Sequence, residues 1–334
     1  MRVNSIHCRL AIATVLILLP AIAQAAEPLR PVETTPLPGV EGRIDHMAAD
    51  PDGQRLFVAA LGNNTLEIVD LAARKVVHSI GGLHEPQGVA FLKDHSLLAV
   101  ANGEDGACRF FDSKSFQLID TINFKADADN VRYDSTDQRV YVGFGNGGMG
   151  VIDANGRKRL ADIKLSAHPE SFQLERKGTR IFVNLPAARQ IAVIDRRQSA
   201  VVATWPLDKA QANFPMALDE GNHRLFVGCR NLVEVLVYDI ESGKIVTRFA
   251  CVGDTDDLFY DERDKRLYVA GGEGFITVHQ QQDAEHYTQL AKIPTAAGAR
   301  TALFVPELSR LYLAVPHRGS QVAEVKVYEA EKPN

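Results

Sequence analysis

The stretch from Arg55 to Asp70, R-L-F-V-A-A-L-G-N-N-T-L-E-I-V-D, constrains the fold more than any other part of the chain. An alternating apolar run meets a Gly-Asn-Asn turn, then a second alternating run that ends in Asp. Alternation marks half-buried strands, and Gly and Asn accept the positive φ of a tight hairpin. The same pattern returns at Arg139–Asp153 and Arg180–Asp195, and more loosely at Arg224–Asp239 and Arg266–Gln280. Self-similarity at a fixed interval is the mark of a repeat architecture, in which each unit buries its apolar surface against its neighbours.

Ten places before the residue that opens the second strand of each unit stand Asp45, Gln87, Asp129, Glu170, Phe214, Asp256 and Arg300. Their successive spacings are 42, 42, 41, 44, 42 and 44 residues. A four-stranded propeller blade takes about 40–45 residues. The chain is therefore expected to be all-β, a seven-bladed β-propeller of four-stranded antiparallel blades. In the second unit strands A to D are expected at 88–93, 97–102, 107–112 and 116–124, and in the fourth at 171–175, 180–184, 190–195 and 200–206. The seventh unit supplies A (301–305), B (310–315) and C (321–330) but no fourth strand. The partnerless stretch 29–40 is expected to become the outer strand of that last blade and close the ring, leaving only short edges. One domain over 26–334 follows.

Residues 1–25 read as a signal peptide. Arg2 and Arg9 precede an apolar run over 10–23, and Ala23-Gln24-Ala25 offers an A-x-A cleavage site. The run is too short to span a bilayer, so the expected location is periplasmic or secreted, with no membrane association after cleavage. Cys8 lies before the apolar run, which argues against a lipid-anchored cysteine. The net charge of −5 argues against a nucleic-acid partner. Cys108, Cys229 and Cys251 are odd in number and lack the spacing of a disulfide framework, so they are expected to be small buried hydrophobes. No C-x-x-C-H exists to attach haem. The run G-N-G-G-M-G at 145–150 has the letters of a dinucleotide loop, but it joins two strands and opens no helix, so no nucleotide is expected.

The repeats resemble the YVTN family of β-propellers, exported bacterial and archaeal proteins whose repeat runs roughly Y-V-T-N, turn, V-x-V-I-D. R-V-Y-V-G-F-G-N-G-G-M-G-V-I-D at 139–153 and R-I-F-V-N-L-P-A-A-R-Q-I-A-V-I-D at 180–195 carry the likeness, which covers nearly the whole chain after the signal peptide. It implies a fold and an exported setting. The matching residues are core strands and hairpin turns, so it implies no activity.

Propeller geometry sorts the D–A and B–C loops onto one face, and the A–B and C–D loops onto the other. The A–B loops, such as 51–53, 135–137 and 220–222, are interchangeable turns. The D–A loops differ from blade to blade: His84-Glu85-Pro86, Asp127-Ala128-Asp129-Asn130, His168-Pro169-Glu170 and Asp254-Thr255-Asp256-Asp257. Idiosyncratic loops on a rigid scaffold mark the working face. At its centre the seven aligned residues converge on the channel. Four of them, Asp45, Asp129, Glu170 and Asp256, repel one another unless a cation, Arg300 or proton uptake neutralises them.

Those four carboxylates are expected to bind one divalent cation, with His46 or Asn130 as a further ligand. Oxygen ligands suit Ca²⁺ or Mg²⁺, while His46 or His168 would admit Zn²⁺ or Mn²⁺. Candidate ligand contacts are Glu85, Gln87, Asn130, Arg189, Arg300 and His317, and candidate bases are His46, His84 and His168. The ring is similar in position and residue type, without a shared motif, to the metal sites of gluconolactonase-like and paraoxonase-like propellers. That similarity implies a metal-dependent lactonase- or esterase-type hydrolase, or a lyase. Three functions therefore stand open: a monomeric propeller that binds a small molecule at the D–A/B–C mouth, such an enzyme, and a platform for a protein partner. Against all three stands the simpler view that polar residues at a wet channel mouth merely face water.

Overall fold

The computed structural model describes Met1 and residues 27–332. The expected signal segment and cleavage site lie in residues outside that part. Seven four-stranded antiparallel sheets follow one another along the chain, each a meander in which A pairs with B, B with C and C with D. Strands B and C of the second blade are Leu97–Asn102 and Ala107–Asp112, as the pattern predicts. Strands C and D of the fourth are Gln190–Asp195 and Ala200–Pro206, again at the expected bounds. No helix among the described residues is long and apolar enough to cross a membrane.

Ring closure takes the expected form. Leu29–Pro36 pairs antiparallel with Glu324–Ala330, in a register running from Leu29 opposite Ala330 to Pro36 opposite Glu324. The strand stops at Pro36 instead of reaching Val40. Pro38 has no N–H to give to a ladder, and Gly39 turns the backbone at φ +78°. Leu37 and Val40 then pack into the core between the seventh and first blades. Strand A of the second blade is Pro86–Leu92, and its strand D opens at Leu118 because Phe116 takes a positive φ in the preceding turn.

Strands B and C are buried along almost their whole length, while the outermost strands alternate or are exposed. The reason is face-to-face stacking of blades, which covers both sides of the middle strands. Accordingly the apolar core is divided into seven clusters, one at each seam. Phe57, Ile68, Leu98 and Val100 fill the seam between the first and second blades, and Leu29, Tyr268, Leu313 and Tyr328 that between the sixth and seventh.

The arginine that opens strand B ties several seams together. Arg180 of the fourth blade donates Nη1–H to the carbonyl of Ile240, in the C–D turn of the fifth, at 2.6 Å. Arg224 of the fifth reaches Ala284 in the same turn of the sixth at 3.0 Å, and Arg55 of the first reaches Ser113 of the second. Arg266 of the sixth blade meets the carbonyls of Glu331 and Pro28, where the C–D turn of the seventh is replaced by two separate stretches of chain. Such bonds offset the desolvation of backbone carbonyls at the seams.

Cys108 and Cys229 are buried, Cys251 is half-buried, and all three are free thiols. Burial pushes each thiol up to about 12. The G-N-G-G-M-G run is the turn and opening of a hairpin between Arg139–Phe144 and Gly148–Asp153.

Candidate functional site

All seven aligned residues line one cavity of about 270 Å³ at the channel mouth, with Arg43, His46, Asp127, His168 and Arg230 completing the wall. The backbone explains the convergence. In the second, third, fifth and sixth blades the A–B ladder shifts register around the ring residue, between Pro86 and Val89, Ala128 and Val131, Asn213 and Met216, and Thr255 and Asp257. In the other three blades strand A begins two residues after it, at Met47, Phe172 and Ala302. A bulge re-aims a side chain out of the ladder, and here it does so toward the axis.

The cavity divides into two halves. On one side Asp129, His168 and Glu170 each offer a ligand atom, and these atoms lie within 4.8 Å of one another. His168 Nδ1 is 2.6 Å from the carbonyl oxygen of Gly145. A carbonyl only accepts, so that nitrogen carries the proton, and Nε2 faces Asp129 Oδ2 at 3.6 Å. On the other side Asp256 is committed to two guanidiniums: Arg300 Nε lies 2.8 Å from Oδ2, and Arg230 pairs with Oδ1. Phe214 has no ligand atom but supports Arg230, whose guanidinium carbon sits 3.6 Å from the ring centroid.

Asp45 lies beside both Arg43, at 3.1 Å, and His46, at 3.7 Å. The second nitrogen of His46 faces Asp257 at 3.7 Å.

Crowded acids out of water take up protons. Burial first, then the charge of Asp129, pushes the Glu170 carboxyl up to about 8. Burial also raises Asp45 to about 7, although His46 pulls the other way. Burial alone would lower His46, but Asp257 and then Asp45 carry it up to about 10. His168 is likewise drawn down by burial and carried up to about 9, chiefly by its bond to Asp129. Five carboxylates, three guanidiniums and two imidazoles therefore share one cavity.

The remaining expected contacts are spread around the rim. Gln87 lines the cavity and donates to Asp127 at 2.9 Å. Asn130 is buried beside Asp129, and its Oδ1 has no hydrogen-bond partner. His84 faces Glu104 at 3.4 Å, outside the cavity; Glu85 and Arg189 do not line it either. His317 pairs with Glu41 at 2.7 Å and belongs to a neighbouring pocket. Arg43 carries no repeat signature, being one loop residue ahead of the first blade, and Asp127 and Arg230 are legible only as members of variable loops.

No protein-family model matches the chain. Over 206 residues it is 24% identical to the uncharacterized protein YncE of Salmonella typhimurium and, equally, to that of Salmonella typhi. The match takes in 60% of this chain and spans 58% of the length of those relatives. Among solved structures, hydrazine synthase of Kuenenia stuttgartiensis superposes with a TM-score of 0.71 at 18% identity, over 83% of this chain and 94% of that one. A chain from a mitotic checkpoint complex superposes at 0.76 and 13% identity, over 98% and 99%. At such identities these likenesses establish the fold, a seven-bladed β-propeller, and nothing of the activity.

Proposed function

We propose that this is an exported propeller of the YVTN type that binds a small ligand at its D–A/B–C mouth, around a divalent cation held by Asp129, His168 and Glu170. The observation that carries the reading is the orientation of His168. With its Nδ1 proton tied to the Gly145 carbonyl, it directs Nε2 at Asp129, as metal-ligating histidines are held by a backbone acceptor. Two carboxylates and one imidazole make a mixed oxygen–nitrogen donor set, which favours Zn²⁺ or Mn²⁺ over Ca²⁺ or Mg²⁺. A bound cation would offer an open coordination position to a ligand oxygen, and it would compete with protons for Glu170 and His168.

Binding is the reading we favour over hydrolysis, because the imidazoles of the site are engaged by carboxylates and do not stand free as bases. His46 is held between two carboxylates at about 10, which keeps its proton on at neutral pH, and His84 stands outside the cavity. The test is metal content of the purified protein, together with melts with and without chelator, on wild type and on Asp129→Asn/Glu170→Gln. A stoichiometric ion, and a melting temperature that chelator lowers only in wild type, is the expected result. A chelator-insensitive wild type, with the double variant equally or more stable, would mean that the carboxylates only repel one another.

A further inference from the structure

Beside the acidic cavity lies a second pocket of about 320 Å³, at the junction of the seventh and first blades on the same face. The two share Arg43 and Arg300 as a common wall. Their balance of charged groups differs. The second pocket presents three guanidiniums, Arg43, Arg300 and Arg318, against one lining carboxylate, Asp254. That carboxylate is already engaged, 3.0 Å from Arg300 and 3.7 Å from Arg230. His317 is balanced by Glu41.

Arg318 is different: it stands at the exposed rim of the pocket, with its guanidinium in water. Among the described residues no carboxylate lies within salt-bridge distance of its guanidinium and no acceptor receives its side-chain N–H groups. It lies across Gly298, where the backbone has φ +76° and where a Cβ would collide with Arg318 Nη1. The positive φ accounts for the glycine, and the exposed Arg318 side chain lies over it at the pocket's edge.

We propose that this pocket is an oxyanion subsite, taking the carboxylate or phosphate group of a small acidic ligand whose remainder extends over the cation cavity. A guanidinium presents paired N–H donors in a planar fork that fits the two oxygens of such a group, and Arg318 has its full set to give. The volume is roughly that of ten waters, enough for an acid of a few carbons but not for a folded partner. The shared arginine wall makes one molecule spanning both halves the economical occupant. The inference rests on the mouth being the binding face, as proposed above, but it does not require the cation.

The test titrates the purified protein with succinate and, separately, inorganic phosphate, by calorimetry and thermal shift. Wild type is compared with Arg318→Gln and with Arg176→Gln, an arginine of the opposite face. Arg318 has no protein partner, so its variant is expected to fold as wild type. Binding of either anion, weakened about tenfold or more in Arg318→Gln and unchanged in Arg176→Gln, is the expected outcome. Succinate alone assigns a carboxylate, and phosphate alone a phosphoryl group. Failure of both anions to bind, or binding that Arg318→Gln leaves intact, overturns the subsite. Metal content measured on the same samples separates the two ideas: an ion without anion binding defeats only the subsite, and anion binding without an ion defeats only the cation site.

Discussion

Arg300 places its Nε 2.8 Å from the Asp256 carboxylate, so one of the four ring acids already has its counter-ion inside the protein. With Arg230 on its other oxygen, Asp256 is unavailable to a cation, unlike Asp129 and Glu170. Asp256→Asn is expected to retain bound metal while losing about 1–3 kcal/mol of stability, because two half-buried guanidiniums keep only Asp254 as a charged partner. Metal analysis and urea unfolding read the two effects separately. Metal loss as severe as in Asp129→Asn/Glu170→Gln would return Asp256 to the ligand set.

The seam bonds make a second expectation. Arg180→Ala removes the donor to Ile240 and the ion pairs with Glu175 and Glu241, and should cost about 1–2 kcal/mol. Arg180→Lys should recover only part of this, since an ammonium cannot reproduce the fork. Full recovery by lysine in a denaturant melt would reduce the interaction to simple charge.

His279 supplies a pH dependence away from the mouth. Its ring is buried against Phe249, its Nε2 has no partner, and burial lowers it from the usual imidazole range to about 4. A folded-state value below the unfolded one means that the unfolded chain takes the proton first. The associated stability is present above about pH 6.5 and is lost as pH falls toward 4. His279→Leu should therefore lose roughly 2–3 kcal/mol less than wild type between those limits. Parallel stability curves for the two proteins would contradict this.

A chain that begins at Gly42 lacks the strand Leu29–Pro36 and leaves Glu324–Ala330 as an unpaired edge. Such a variant should aggregate or melt well below the full protein. Equal melting temperatures would mean that the pairing contributes nothing to closure.

Export is checked at the N-terminus. Sequencing of the protein from a periplasmic or secreted fraction should begin at Ala26, and an intact Met1 in a soluble cytosolic pool would argue against the signal peptide.

The sequence made the architecture legible because each blade repeats one physical problem: a hairpin with both faces covered, closed by Gly, Asn or Asp turns. Leu97–Asn102 and Gln190–Asp195 fall where the pattern puts them for that reason. The ring was legible too, since aligned positions of a closed repeat must converge. What could not be read was how the seven residues divide. The grouping of Asp129, His168 and Glu170 that we propose as a cation site depends on a backbone carbonyl at Gly145, 23 residues from His168, orienting a ring. The withdrawal of Asp256 depends on Arg230 leaning on Phe214, a position that looks like a gap in the ligand set when read as letters alone. The bulges at Asp129, Phe214 and Asp256, and the late start of strand A after Glu170, leave no mark in the alternation, because they fall where strand A is only beginning.

Arg266 meets the carbonyls of Pro28 and Glu331, two residues at opposite ends of the described chain. In the other blades the corresponding turn is continuous, so its local geometry exists as soon as the hairpin forms. In the seventh it exists only after the first strand made has found the last. Bringing together partners almost a full chain length apart is entropically costly and slow. Synthesis from the N-terminus would therefore deliver six blades whose four strands are contiguous, and one strand left waiting for the last. Until the two meet, the ring stays open at one seam.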